Sequence, residues 1–509
     1  MLKARSSRAL FGALVAALPV ALVAAGLVPP VADAAPLDGT RVDGGRYGSA
    51  RIATPPSGVR GYVVYFSDRG GWSRADDAAL AALASAGALS VGVDLDAYLA
   101  RIAATTARCD QLVGDAEGLS RQLQRRDGGG QYFFPILAGS GAGGMLAAAT
   151  LAQAPVNTLA GAVSIDPQPW LPGARPLCAG LPSTADGPGF RYGLPATTLN
   201  GFWIVARTGI AGPATREYVD DLARHAAPGT ADLRDAGLAD AAGIGALVAP
   251  HLAPAIRAGV GDVRGLPLIE LPVAGRPSPD RSATAATDKP ATDLPATDLP
   301  AMAILLSGDG GWRDLDKTIA ENLQRDGIPV VGWDCVRYFW TPKTPEQTAA
   351  DLGAVIDAYA ARWHAARVAL VGYSFGANVL PFAYALLPPA RQQRVVQLSL
   401  LALESRTDWE IQVSGWLGAA PSAAAMPVAP ALERVPAAKI QCFYGEGEKD
   451  TMCPALAAAG AEVIRTRGNH HFDGDYPALA RRIADGMRRR TGAAAADAAE
   501  SALRSGAGR

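Results

Sequence analysis

The sequence predicts two consecutive α/β domains, each a mostly parallel β-sheet flanked by helices. Short apolar runs alternate with helical stretches along the chain, which is typical of βαβ units whose sheet is covered on both faces. A motif ending in Gly-Gly-Trp occurs twice, at residues 66–72 and 306–312, and a proline-rich segment separates the two copies. A chain of 509 residues is long enough for two or three domains of this kind.

Composition narrows the function classes. The 47 lysines and arginines against 48 aspartates and glutamates leave a net charge of −1, so a nucleic-acid partner is not expected. The five cysteines are too few for a disulfide scaffold, and their simplest use is one bridge in each domain and one free thiol. Cys453, beside a proline in a loop, is a good candidate for a bridge. No Cys-x-x-Cys motif or His/Cys cluster indicates a metal, and no cofactor is expected.

The first 34 residues have the pattern of a secretory signal peptide. Lys3, Arg5 and Arg8 precede an apolar run over residues 9–28, and Ala32-Asp33-Ala34 resembles a cleavage site. The alternative is an uncleaved membrane anchor, since about 20 apolar residues can span a bilayer. We expect cleavage after Ala34 and export to the periplasm.

Repeats define the rest of the domain organisation. Residues 275–300 contain the pentapeptides ATDKP, ATDLP and ATDLP, whose prolines favour a semi-extended linker. This divides the chain into a first domain at 35–274, a second domain at 301–490 and an Ala-rich tail at 491–509. The two domains match at a constant spacing of 240 residues, where Gly92 and Asp94 correspond to Gly332 and Asp334.

The predicted strands follow the same repeat. They are expected near 63–66, 89–93 and 133–137 in the first domain, and near 303–306, 328–333 and 367–371 in the second. A helix is expected near 347–362, before the last of these strands.

The second domain contains a candidate nucleophile. The apolar strand 367–371 leads into Gly372-Tyr373-Ser374-Phe375-Gly376 and then into a helical stretch, which is the nucleophile elbow of α/β hydrolases. Ser374 is the predicted nucleophile, and we therefore expect both domains to be α/β-hydrolase-like. The amide of Phe375 and the amides of Gly310 and Gly311 are the predicted oxyanion donors.

The predicted base and acid lie near the C-terminus, in the chain order usual for this fold. His471 is the first choice for the base because Phe472 follows it, and its neighbour His470 is close behind. Asp450 is the predicted acid, with a Gly-x-x-Asp spacing after the strand near 440–444. Glu446 and Glu448 in the same loop are expected to be solvated.

The first domain lacks this set of residues. Gly141 stands where Ser374 stands in the second domain, and Arg69 replaces Asp309. The segment near 237–244, which corresponds to the histidine loop, contains no histidine. The first domain is therefore expected to be a degenerate hydrolase domain, used for docking, substrate presentation or scaffolding.

The sequence resembles the AcvB/VirJ family of exported bacterial virulence proteins, in its longer, two-copy AcvB form. The motifs that carry the resemblance are Gly-Asp-Gly-Gly-Trp at 308–312, Gly-Trp-Asp at 332–334 with Tyr-Phe-Trp at 338–340, the elbow at 372–377, Val-Ser-Gly-Trp-Leu-Gly at 413–418 and the histidine loop at 470–476.

The resemblance implies a periplasmic hydrolase of aminoacyl-phosphatidylglycerol, chiefly lysyl-phosphatidylglycerol, with links to type IV secretion. The sequence is compatible with that substrate. Asp309 and Asp334, at neighbouring strand ends, could pair with a lysyl ammonium, and Trp312 and Tyr338 could line an apolar mouth for lipid. The alternatives are a non-catalytic periplasmic adaptor that binds secretion-system proteins, and an esterase with another substrate.

Overall fold

The computed structural model describes residues 41–127, 130–235, 243–253, 263–273, 301–412 and 422–506, with side chains up to residue 493. The predicted signal peptide, the linker at 275–300 and the motif at 413–418 lie outside the described residues. The two sheet-bearing regions belong to one compact unit, Leu37–Arg509. No helix in the described part of the chain is both long enough and apolar enough to cross a membrane.

The first region alternates strands and helices as predicted. Its strands are β1 (Arg41–Asp43), β2 (Ser49–Ala53), β3 (Gly61–Phe66), β4 (Ala88–Val93), β5 (Ile136–Ser140), β6 (Gly161–Ile165), β7 (Trp170–Pro172), β8 (Ser183–Asp186), β9 (Gly189–Tyr192), β10 (Phe202–Arg207) and β11 (Asp232–Asp235). Its helices are α1 (Arg74–Ser85), α2 (Leu95–Ala103), α3 (Val113–Arg126), α4 (Gly141–Gln153), α5 (Pro213–His225) and α6 (Ile244–Val248).

The main sheet of the first region has the order β1-β2-β4-β3-β5-β6-β10-β11. The strands from β4 to β11 in this order pair in parallel, and β2 pairs antiparallel with both β1 and β4. Every residue of β3 and β4 is buried, as expected for a sheet covered on both faces. A small antiparallel sheet of β7, β9 and β8 is inserted between β6 and β10.

The second region repeats this plan. Its strands are β12 (Leu268–Leu271), β13 (Ala301–Leu306), β14 (Val330–Trp333), β15 (Arg367–Tyr373), β16 (Val395–Leu401), β17 (Arg406–Thr407), β18 (Met426–Pro427), β19 (Ile440–Gly445) and β20 (Glu462–Thr466). Its helices are α7 (Asp314–Arg325), α8 (Cys335–Tyr338), α9 (Pro345–Arg362), α10 (Phe375–Leu386), α11 (Pro389–Arg394), α12 (Ala429–Leu432), α13 (Cys453–Ala457) and α14 (Tyr476–Gly506).

The main sheet of the second region has the order β12-β14-β13-β15-β16-β19-β20. All of its pairs are parallel except that between β12 and β14. Both regions therefore have the predicted α/β-hydrolase-like architecture, with mostly parallel sheets and flanking helices. The strand ends that matter for function are the C-terminal ends of β13, β15, β16 and β19, because they meet at one edge of the sheet.

Strand β12 corrects the predicted domain boundary. Residues 268–271 were expected in the first domain, at 35–274, but they pair with Val330–Trp333 of the second sheet. The linker therefore connects two strands of the same sheet. The reason is that β12 and β14 exchange backbone hydrogen bonds, whereas sequence reasoning used the proline-rich composition as the boundary. The Ala-rich tail also gains a structure, because α14 continues through it to Gly506.

The helices follow ordinary sequence signals. Helix α9 begins with a capping box in which Thr344 and Gln347 satisfy each other's backbone amides, and Pro345 occupies its first turn. Helix α10 is almost entirely buried, which its apolar and small residues permit. Both helices pack against β15 or its neighbours and hold the strand that carries Ser374.

Two disulfide bridges form, as the cysteine count predicts. Cys109 is bonded to Cys178 in the first region, and Cys442 to Cys453 in the second. Cys335 is a buried free thiol. The second bridge joins β19 to α13 and encloses the acidic turn at 446–450.

We expect that replacing Cys109 and Cys178 together by alanine lowers the free energy of unfolding by about 2–4 kcal/mol, measured by urea denaturation. The cross-link joins residues separated by 69 positions and restricts the unfolded chain. Peptide mapping of the unreduced protein should yield both bridged pairs and should show Cys335 alkylated only after unfolding. A disulfide to Cys335 would contradict this assignment.

Candidate active site

The candidate site is built on a tight turn between β15 and α10. Ser374 lies between them with φ 52°, in the left-handed region that non-glycine residues rarely adopt. Such a conformation costs about 1–3 kcal/mol and is kept only where surrounding structure enforces it. The predicted nucleophile elbow is therefore present.

The glycines on either side of Ser374 are required by close backbone contacts. A Cβ on Gly372 would lie 2.6 Å from the backbone of Gly376, and a Cβ on Gly376 would lie 2.4 Å from the carbonyl oxygen of Leu306. Residue 376 thus packs directly on the end of β13. This is the physical reason why the elbow needs glycine at both positions.

The structure places a histidine and a carboxylate in line with Ser374. His470 Nε2 lies 2.9 Å from Ser374 Oγ, and His470 Nδ1 lies 3.0 Å from Glu448 Oε1. The Glu448 side chain is only 6% exposed. Its second oxygen accepts a hydrogen bond of 2.8 Å from the amide of Gly445, which fixes the carboxylate. This Ser–His–Glu chain has the arrangement of a nucleophile, a base and an orienting acid.

The first choice for the base was wrong. His471 does not contact Ser374, and its Nδ1 lies 3.1 Å from the hydroxyl of Tyr373 instead. The hydrogen bond from His470 Nε2 to Ser374 Oγ shows that His470 is the histidine that faces the elbow. Tyr373, the last residue of β15, also donates a hydrogen bond to the carbonyl of His470 over 3.2 Å, which ties the histidine loop to this strand.

The predicted acid was also wrong. Asp450 is exposed, and its Oδ2 accepts a hydrogen bond from Ser405 over 2.9 Å. The turn after β19 is tighter than the sequence indicated, because the amide of Glu448 donates to the carbonyl of Gly445. That turn folds the Glu448 side chain inward, and Asp450 is carried outward.

The electrostatic surroundings set the two histidines apart. Burial lowers the pKa of His470, but the hydrogen bond to Glu448 and the charges of Glu404 and Asp309 outweigh it, so the pKa is raised above its ordinary value. Burial and the neighbouring His470 lower the pKa of His471. His470 is therefore the histidine whose protonation responds to the carboxylates of the site.

Glu404 is a site residue that sequence reasoning missed. It follows β16, its Oε2 accepts from Asn378 Nδ2 over 2.9 Å, and its amide donates to Asn378 Oδ1 over 2.9 Å. Burial raises the pKa of Glu404. A cleft of about 260 Å³ opens beside it, lined also by Gly447, Asn469 and His470. The available signal was a carboxylate just after a strand whose C-terminal end faces the elbow.

The first domain shows which amides converge at such an elbow. Asp68 Oδ1 accepts hydrogen bonds from the amides of Arg69 and Ala142, over 2.8 and 2.9 Å. By the 240-residue repeat Arg69 corresponds to Asp309. At the elbow, where Gly141 aligns with Ser374, Ala142 corresponds to Phe375. An anionic oxygen thus already occupies this position in the first domain. We infer that the amides of Asp309 and Phe375 form the oxyanion hole of the second domain.

The predicted glycine donors are corrected accordingly. The amide of Gly311 donates to the carbonyl of Gly308 over 3.1 Å and is used within the loop. Gly310 corresponds to Gly70, whose amide donates to Asp96 and not to Asp68. On this inference the donor lies in the predicted loop, one or two residues earlier than Gly310 and Gly311.

Asp68 also explains why the first domain is degenerate. Gly141 occupies the elbow with φ 55°, and a Cβ there would lie 2.2 Å from the carboxyl group of Asp68. A serine at residue 141 would therefore clash unless Asp68 moved. The segment at 236–242, which includes most of the expected histidine-loop equivalent, lies outside the described residues.

Three of the four predicted substrate-binding residues are buried structural residues. Asp334 is 1% exposed and caps α8 by accepting from the amide of Arg337, and burial raises its pKa to about 6. Trp312 packs on Gly332, where a Cβ would lie 2.4 Å from its ring. Tyr338 donates to Asp351 over 2.6 Å in the core. Asp334 turns inward as a helix cap, and Trp312 and Tyr338 turn inward to pack in the core. Of the four predicted residues, only the half-buried Asp309 remains at the site.

We expect Glu448→Gln to slow the reaction of Ser374 with a fluorophosphonate by about 10³- to 10⁴-fold, because the amide no longer stabilises the imidazolium. Asp450→Asn should stay within about twofold of the unchanged protein, since the exposed Asp450 hydrogen-bonds Ser405 and the Nδ1 atom of His470 is paired with Glu448. Intact-mass spectrometry over time measures the labelling. The reverse ranking of the two variants would return the acid to Asp450.

Comparisons with solved structures give distant matches. Among solved structures, Est1E from Butyrivibrio proteoclasticus is 13% identical, with 38% of this chain and 88% of that chain covered and a TM-score of 0.29. XC6422 from Xanthomonas campestris, described as an a/b serine hydrolase without lid, is 18% identical, with 44% and 93% covered and a TM-score of 0.26. No curated protein matches the chain.

A family model matches the part of the chain that carries the elbow. The family is described as bacterial virulence protein VirJ, and the match covers residues 300–491. These residues include β13 to β20 and all three members of the Ser–His–Glu chain. Over residues 300–491 the chain is similar to the VirJ family of bacterial virulence proteins, in agreement with the resemblance that its motifs indicate.

Proposed function

We propose that the second domain is a periplasmic serine ester hydrolase that cleaves aminoacyl-phosphatidylglycerol, chiefly lysyl-phosphatidylglycerol. The observation that carries the hydrolase assignment is the chain Ser374–His470–Glu448, with distances of 2.9 and 3.0 Å, at a strand-to-helix elbow. Export and the signal peptide at 1–34 belong to the same proposal. They rest on the sequence pattern and on the VirJ resemblance.

The geometry supports a two-step ester hydrolysis. His470 takes the proton of Ser374 as Oγ attacks the ester carbonyl, and the amides of Phe375 and Asp309 stabilise the oxyanion. The acyl C–O bond then breaks, and the imidazolium donates its proton to the leaving glycerol oxygen of phosphatidylglycerol. Water, activated by the same histidine, cleaves the aminoacyl-serine ester and releases the free amino acid. Glu448 stays ionised and holds the imidazole in place.

The charges around the elbow favour a cationic acyl group. Glu404 and Asp309 both act on the charge of His470, so their carboxylates lie near the reacting atoms. A lysyl group carries two ammonium groups, and carboxylates in a partly buried cleft attract such a group more strongly than they would in bulk water. The pairing with a lysyl ammonium thus moves from Asp309 and Asp334 to Asp309 and Glu404.

A non-catalytic adaptor for secretion-system proteins is the competing function. It requires neither an aligned histidine nor a fixed carboxylate at Ser374, and the same experiment tests both functions.

We expect the full-length protein to release lysine from lysyl-phosphatidylglycerol in vesicles, and Ser374→Ala to lower the rate by at least about 10³-fold, because the nucleophilic oxygen is removed. Thin-layer analysis of the lipids with quantitation of free lysine measures the reaction. Ser422→Ala, which removes a hydroxyl that bonds Asp408, is the matched control.

Three results would contradict this proposal in different ways. Retained activity in Ser374→Ala would exclude Ser374 as the nucleophile. Labelling of Ser374 by a fluorophosphonate without release of lysine would leave an esterase of another substrate. Absence of both labelling and hydrolysis would favour the adaptor.

The raised pKa of His470 predicts where activity is lost in acid. Neutral His470 is the base, so kcat/KM for a small neutral ester should fall as the pH drops through a pKa above the ordinary value of 6.5. Glu404→Gln removes a carboxylate that raises this pKa, so the acid limb should move to lower pH. The exposed Glu433→Gln is the control. An acid limb unmoved by Glu404→Gln would contradict the electrostatic coupling.

A further inference from the structure

We propose that the first domain positions the active site of the second domain through its helix α3. The positioning residues are Glu117, Arg121 and Arg125. They act on the loop at 307–312, which carries one oxyanion amide, and on the aromatic wall beside the other. This inference rests on the proposed hydrolase function and assigns the degenerate domain a role in it.

The first contact is a clamp on the carbonyl of Gly310. This oxygen accepts hydrogen bonds from Arg313 Nε over 2.9 Å and from Arg121 Nη2 of α3 over 3.3 Å. Glu117 of the same helix pairs with both arginines, at 3.2 Å from Arg121 Nη2. Arg121 is only 8% exposed, so these groups are largely shielded from water. A buried charge-assisted cluster therefore holds the middle of the loop from outside its own domain.

The clamp acts one residue from the amide that matters. Gly310 directly follows Asp309, and Gly308, Gly310 and Gly311 give the loop little conformational preference of its own. Gly308 lies against the elbow, where a Cβ would be 3.2 Å from the Tyr373 ring and 3.6 Å from the Ser374 Cβ. Fixing the Gly310 carbonyl therefore fixes the orientation of the preceding peptide groups that face Ser374.

Comparison of the two copies shows why an external clamp is needed. In the first domain, Asp96 holds the corresponding loop from within by pairing with Arg69 and by accepting from the amide of Gly70 over 2.8 Å. The residue equivalent to Asp96 in the second domain is Val336, which has no acceptor in its side chain. The second domain thus lacks this internal carboxylate, and the Glu117–Arg121 pair of α3 adds a restraint to the one that its own Arg313 provides.

The same helix also holds the wall beside Phe375. Arg125 donates to the carbonyls of Trp340, over 2.6 Å, and Ile411, and pairs with Glu410. Its guanidinium lies 4.5 Å from the centre of the Trp340 ring. Phe339, adjacent to Trp340, packs edge to face on Phe375 at 4.8 Å between ring centres. Helix α3 thus contacts the surroundings of both proposed oxyanion donors.

The test uses the full-length protein and a small neutral ester. Arg121→Ala should lower kcat by about 10- to 100-fold with KM within about twofold, because a displaced oxyanion donor affects the transition state and not ground-state binding. Arg121→Lys keeps a donor for Gly310 and should recover part of kcat. Arg126→Ala is the matched control, since Arg126 lies on the same helix and pairs only with its neighbour Asp127 in the contacts described.

Amide hydrogen exchange supplies a readout that does not depend on catalysis. In Arg121→Ala, exchange at residues 308–312 should increase, while exchange in β5 of the first domain should not change. Glu117→Gln is the milder variant, should Arg121→Ala fail to fold, and should move both readouts in the same direction.

The outcomes separate the two proposals. Unchanged exchange at 308–312, or unchanged kcat, in folded Arg121→Ala overturns the positioning role. A loss of kcat that follows only a fall in thermal stability, without faster exchange at the loop, also overturns it. An unmodified protein that neither hydrolyses esters nor reacts with a fluorophosphonate overturns the hydrolase function, while the exchange measurement still decides whether α3 restrains the loop.

Discussion

The left-handed backbone of Ser374 is the constraint on which the rest of the second domain depends. A residue with φ 52° between a buried strand and a buried helix can persist only if both are held firmly. Gly376 therefore sits directly on the end of β13, which ties the elbow to the neighbouring strand. The register of β13 against β15 then determines where the loop at 307–312 lies relative to the serine. The positions of the sheet, the elbow and the loop therefore depend on one another.

The two domains differ in what occupies the space beside the elbow. In the first domain a carboxylate of its own chain, Asp68, takes the place that a reaction intermediate would take in the second. The absence of a serine at residue 141 and the presence of the Asp68 carboxylate go together, because both side chains would occupy the same space. The first domain thus keeps two converging amides at its elbow, and the carboxylate of Asp68 accepts both of them.

Sequence reasoning predicted the features that depend on local pattern. The strands around the elbow, the glycines, Ser374 and the pairing of cysteines by domain follow from apolar runs, steric demands and counting. The choice between His470 and His471 depends on which side chain faces the elbow in the loop after β20. The choice between Glu448 and Asp450 depends on one tight turn after β19. Asp334, Trp312 and Tyr338 looked functional by position, but helix capping and core packing turned them inward. Glu404 belongs to no sequence motif. Its place near the elbow can be recognised only from the pairing of β16 with β15.

Strand β12 changes the interpretation of the proline-rich segment as a link between two domains. Because 268–271 and 301–306 belong to the same sheet, the segment between them closes a loop on one domain and does not join two independent ones. The entropy of closing a flexible loop grows only with the logarithm of its length, by about 0.6 kcal/mol for each doubling. Repeated pentapeptides can therefore be gained or lost there at little cost to stability. Cutting the chain at residue 300 would instead remove an edge strand and leave the backbone of β14 open to unintended pairing.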